Sequence, residues 1–126
     1  MNDDTLIMRQ VNPSFIQDGK ITSQVFRPTP KDENCLSCYN GDKIEPESAY
    51  RHFVDQPQCR SAGVVGVSKQ ECDRLSLTVL DDAQPFPEHC SIDFSGNQRN
   101  VIEKKAKYLK NSAEIRGWLY QAEASR

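Results

Sequence analysis

The chain has 126 residues, with 16 Lys and Arg against 18 Asp and Glu, a net charge of −2 at pH 7 and a hydrophobic fraction of 37%. That length fits one domain able to bury about two-thirds of its surface without a disulfide or a metal. The near-balanced charge and a mean hydropathy of −0.71 exclude wholesale disorder, collagen and coiled coil, and remove the electrostatic argument for nucleic acid as the main partner.

No stretch approaches the roughly 18 apolar residues of a membrane span. The acidic start Met1-Asn2-Asp3-Asp4 is not followed by an apolar signal core, so a cytoplasmic protein with no membrane partner is expected. Residues 1–14 read as a polar N-terminal arm closed by the turn Asn12-Pro13-Ser14, and residues 15–126 as a single α+β domain.

Asp18-Gly19 is a tight-turn dipeptide, and Lys20 to Arg27 places Ile21, Ser23 and Val25 on one face, which predicts a first strand stopped by Pro28 and Pro30. Asn40-Gly41, between Leu36-Ser37-Cys38-Tyr39 and Asp42-Lys43-Ile44, predicts a short hairpin. Pro46 suits a first helical turn, and the spacing of Ala49, Tyr50, Phe53 and Val54 predicts a helix over 46–55. Val64, Val65 and Val67, set among Gly63 and Gly66, predict a central strand with something packed closely on its backbone.

Ser68-Lys69-Gln70-Glu71 matches the capping box and opens a short helix; Leu75, Leu77 and Val79 then alternate either as a strand or as the irregular exit of that helix. Residues 81–88 have loop composition, with Phe86 tucked back on the core. From His89 to Phe94 the alternation is clean, with Cys90, Ile92 and Phe94 inward and His89, Ser91 and Asp93 on an outer, solvated face. Ile102, Ala106, Leu109 and Ala113 share one helical face and predict a helix over 98–116, closed by Gly117. Trp118-Leu119-Tyr120 is too apolar for a free tail, whereas Gln121 to Arg126 read as fraying. The sum is an α+β fold: a mostly antiparallel sheet of about four strands, with two main helices packed on one face.

Cys35-x-x-Cys38 has the spacing of half a zinc knuckle, but no second pair completes it, and five cysteines without a signal peptide read as buried free thiols; no metal and no cofactor are expected. His89 and Cys90, as strand neighbours, point to opposite faces and cannot serve each other as base and nucleophile. The candidate catalytic residues are therefore His89 and Asp93, two steps apart on one face, with Ser37. The candidate ligand-binding residues are Arg27 and Lys31, preorganised around Pro28 and Pro30, with Tyr39 beside Ser37.

Helix 98–116 carries Arg99, Lys104, Lys105, Lys107 and Lys110, a basic face able to meet nucleic acid, though poor aromatic interleaving disfavours that use. No phosphate-loop, dinucleotide, zinc-protease or nucleophile-elbow motif is present. The leading reading is a small protein-binding or regulatory module, a component of a bacterial-type multi-protein system whose partner is another protein. The competing reading is a compact enzyme acting on a phosphate-bearing substrate, a nucleotide or nucleic acid, which requires Arg27, Ser37, His89 and Asp93 to converge.

Overall fold

Leu6-Ile7-Met8 is a short apolar run, and in the computed structural model, which describes residues 1–123, it opens strand β1, Leu6–Gln10. Two short strands, β2 (Ile16–Gln17) and β3 (Lys20–Ile21), pair as a hairpin across Asp18-Gly19. The chain continues through β4 (Cys35–Asn40), α1 (Pro46–Val54), β5 (Gly63–Ser68), α2 (Lys69–Arg74), β6 (Thr78–Leu80), β7 (His89–Asp93), α3 (Arg99–Arg116) and β8 (Tyr120–Gln121). The main sheet has six strands in the order β6-β7-β4-β1-β5-β8, and every pairing is antiparallel.

The sheet is thus larger than the four strands expected, and the added strands come from segments the sequence disguises. Residues 6–10, inside the expected arm, form an interior strand between β4 and β5. With β5 it runs in register from Leu6 opposite Ser68 to Gln10 opposite Val64. Asn40-Gly41 does not turn a hairpin. Its glycine amide donates to the Leu6 carbonyl at 2.8 Å, and β4 pairs instead with β1 and β7, because Asp42-Lys43-Ile44 is too short and polar to add a strand. The strand expected over Lys20 to Arg27 covers only Lys20–Ile21; Ser23–Phe26 is a 3₁₀ turn that drives Val25 and Phe26 fully into the core.

The two main helices lie on opposite faces of the sheet, not on one. Ile102, Ala106, Leu109 and Ala113 of α3 join Ile7, Leu36, Cys38, Val65, Val67, Cys90 and Ile92 in one buried cluster. The alternate residues Met8, Tyr39 and Val64 turn the other way and meet Ala49, with Tyr50 and Phe53 of α1 beside it. Period-2 alternation therefore feeds two cores, one per face. At the end of α3, Gly117 adopts φ 87° and its amide donates to Ala113, as the pattern predicts. Leu119 then donates to Val64, seating β8 on the outer edge of β5.

The capping box forms: the Glu71 amide donates to Ser68 Oγ at 3.1 Å, and the Ser68 amide to Glu71 Oε1 at 2.7 Å. Arg116 from α3 also donates to Glu71 Oε1 at 2.8 Å, tying α2 to α3. Partial burial pushes the Glu71 carboxyl up, but the bonds from Arg116 and Ser68 outweigh it and hold the carboxyl below the ordinary range. A group held low stabilises the fold above its unfolded value of about 4.3 and loses that contribution as pH falls through the folded value. Glu71→Ala is expected to cost about 1–2 kcal/mol at pH 7 by urea titration, and the gap from wild type should narrow progressively as the pH is lowered below about 4.

Candidate functional site

Between β1 and β4 the ladder ends after Ile7 opposite Asn40 and Met8 opposite Tyr39. Beyond that point a side chain takes over from the backbone. Arg9 Nη1 donates to the Ser37 carbonyl at 3.0 Å, and its Nε donates to the Val25 carbonyl at 2.8 Å. The guanidinium thereby lines a cavity of about 160 Å³ on the α1 side, with Gln10, Ser37, Tyr39, Phe53 and His89 among its other lining residues and Phe86 and Gln56 at its wall.

The cavity is walled by rings. The Phe86 centroid lies 5.1 Å from Tyr39, 4.7 Å from His52 and 5.3 Å from His89, separations at which aromatic pairs attract. The loop over residues 81–88 delivers Phe86, and β7 delivers His89 directly opposite Tyr39 on β4. Tyr39 Oη and His52 Nδ1 lie 2.8 Å apart, and burial pushes the Tyr39 phenol up to about 12, so the hydroxyl keeps its proton at neutral pH.

His89 Nδ1 sits 2.9 Å from the Asp82 carbonyl. A carbonyl can only accept, so Nδ1 carries the proton and, in the neutral ring, Nε2 is the acceptor. Among the described residues no group bonds Nε2, although His89 is only 6% exposed. Burial also pulls the Arg9 pKa down from its ordinary value, and among the described residues no carboxylate forms an ion pair with it.

Of the residues singled out from sequence, His89, Ser37 and Tyr39 line this one cavity. The other three lie elsewhere. Asp93 stands opposite Cys35, four residues along β7 from His89, where it accepts from the Ser95 amide at 2.8 Å and lies 3.7 Å from Cys35 Sγ. The Ser95 bonds hold its carboxyl below the ordinary range, which suits a turn-closing carboxylate. Arg27 lines a separate hollow on the α3 side with Asn97, Arg99 and Ile102, and Lys31 is exposed in the turn Pro30–Asp32. The expected solvated face of β7 is also corrected: His89 and Ser91 are buried, and on that side the 81–88 loop sets the Phe86 ring 5.3 Å from His89.

Arg9 is the residue that sequence reading missed. It lies in the supposed arm, and the signal that could have found it is the run Leu6-Ile7-Met8 followed by Val11: both alternating faces are apolar, as in a strand covered on two sides.

The cysteines offer no assembled ligand set. Cys35 and Cys38 are three apart on an extended strand and point to opposite faces, all five cysteines are free, and burial pushes the Cys38 thiol up to about 12. On α3 the basic residues are partly engaged: Lys110 pairs with Glu114, Arg99 with Glu103, and Lys105 donates to Asn97. No helix among the described residues is long and apolar enough to cross a membrane.

No protein-family model matches the chain, and no solved structure does. Over 96 residues it is 26% identical to the vacuolar protein sorting-associated protein 18 homolog of Caenorhabditis elegans. That stretch covers 76% of this chain but 9% of the nematode protein, so the chain spans less than a tenth of the curated relative it matches.

Proposed function

We propose that this chain is a protein-binding or regulatory module, working in the cytoplasm as one component of a multi-protein assembly, and that the cavity beside Arg9 is its recognition site. The observation carrying this reading is that two polar groups with no protein partner among the described residues, the Arg9 guanidinium edge and His89 Nε2, belong to residues that line one space with an aromatic wall, of a size that fits one side chain. Such a mixture of apolar surface with a few convergent polar groups characterises binding sites. The likeness to a relative named for protein sorting is compatible with a protein as the partner, and five free thiols suit a reducing compartment. Catalysis on a phosphate-bearing substrate has less support, since Arg27 and Asp93 stand apart from the cavity that holds Ser37 and His89.

Gln56 lies exposed at the wall of the cavity, so Gln56→Trp should plug it without disturbing the core. In crosslinking pull-downs from the native host, proteins retained by wild type should be lost with Gln56→Trp. An identical set of captured proteins from both would move recognition away from this cavity, and an empty wild-type capture would overturn the module reading.

A further inference from the structure

We infer that the cavity recognises a carboxylate carried on an apolar body the size of one side chain, and that its source is the C-terminal residue of a partner protein. This rests on the proposed binding role and adds the chemistry of the ligand.

Arg9 is the starting point. Its two assigned bonds go to neutral carbonyls, Val25 and Ser37, and its Nη2 has no partner among the described residues. Nη2 is also not enclosed, because among the described residues no buried side-chain nitrogen or oxygen is left without a partner. The free edge therefore has open space before it, and the space that Arg9 lines is the cavity. Arg9 is half-buried with no counter-ion among the described residues, and a carboxylate accepting from Nη2 would supply a charge-assisted bond that the two carbonyls cannot.

The second group narrows the ligand. His89 is nine-tenths buried, its Nδ1 proton is committed to the Asp82 carbonyl, and Nε2 presents an acceptor. An occupant that satisfies both groups carries an N–H or O–H donor as well as its carboxylate. The third feature is the wall of Phe53, Phe86 and Tyr39, which calls for an apolar body. About 160 Å³ matches the roughly 150 Å³ that accommodates a benzene ring.

The last residue of a polypeptide has all three parts: a terminal carboxylate, its own amide N–H, and a side chain. One guanidinium balances one carboxylate, whereas a phosphate dianion would leave a charge unmatched and offer no proton to Nε2.

The test is calorimetric titration of the full chain at pH 7 and low salt with N-acetyl-L-phenylalanine, its primary amide, and 3-phenylpropionate, which lacks the amide N–H. N-acetyl-L-phenylalanine is expected to bind at least tenfold tighter than the amide and tighter than 3-phenylpropionate. Binding should vanish in Gln56→Trp and fall at least tenfold in Arg9→Lys; because Arg9 also bridges β1 to β4, the Gln56 variant decides the matter if Arg9→Lys fails to fold.

Equal binding of acid and amide, or tighter binding of phenyl phosphate, would overturn the carboxylate assignment. Equal binding of 3-phenylpropionate would overturn the chain-terminus source in favour of a free aromatic acid. If neither acid nor amide binds while Gln56→Trp still abolishes partner capture, the carboxylate inference fails and the binding role stands; if Gln56→Trp changes neither readout, both fail.

Discussion

Leu109→Asp is expected to leave the chain unfolded at room temperature. Leu109 is fully buried at the centre of the α3 stripe, between Ile102 and Ala106 on one side and Ala113 on the other. Truncating such a leucine costs about 2–5 kcal/mol before any charge is considered. Placing an unpaired carboxylate there adds several more, against a net stability of about 5–15 kcal/mol. Circular dichroism should show loss of the cooperative thermal transition. The neighbouring Tyr108→Asp, at a position 49% exposed, should melt within a few degrees of wild type. A wild-type melting temperature for Leu109→Asp would mean that α3 does not seat on the sheet through this stripe.

Gly63→Ala should be the most damaging single-methyl change. Gly63 adopts φ 149°, and a Cβ there would collide with the Tyr120 carbonyl oxygen and stand 2.9 Å from two atoms of the Trp118 ring. The obstruction is backbone, which cannot rotate away, so β8 must shift off the edge of β5 or the strand must deform. Strained backbone and overpacking together predict a loss of about 2–6 kcal/mol in urea titration. Trp118 is the sole tryptophan, so its emission should report the displaced edge. Gly96→Ala is the comparison: φ is 81° but nothing lies within 4 Å, and only the conformational cost of about 1 kcal/mol should appear.

The features legible in the sequence are those whose cause is local. The Ser68–Glu71 capping box, the α3 stripe with Gly117 behind it, and Pro46 at the start of α1 all form as their residues require, because each is decided within a few turns of chain. The close approach to β5 was also readable from Gly63 and Gly66, where only a missing Cβ lets Tyr120 and Leu119 lie against the strand.

What the sequence hides is decided across the fold. The α1 stripe of Ala49, Tyr50 and Phe53 demands a surface to cover but does not say which face of the sheet supplies it. The 81–88 loop likewise folds back to set Asp82 and Phe86 against His89, a polar residue that alternation alone assigns to solvent. The same limit hid the site. Ser37, Tyr39 and His89 were visible as polar candidates on strands, but Arg9 joins them only because β1 runs beside β4 and diverges after Tyr39.

The position of β1 has a consequence for how the polypeptide comes together. Leu6–Gln10 is made early, yet its two neighbours begin at Cys35 and Gly63, so one edge stays bare until Asn40 and the other until Ser68 has been synthesised. Pairings this distant in sequence close loops slowly, which places folding toward the millisecond-to-second range typical of non-local topologies. In a nascent chain this segment is the one exposed longest to mispairing with another copy. Without it the remaining strands fall into two groups, β6-β7-β4 and β5-β8, with no hydrogen bonds between them. Completion of the sheet and placement of the Arg9 guanidinium are therefore a single event, and a nascent chain gains the cavity beside Arg9 only when its fold closes.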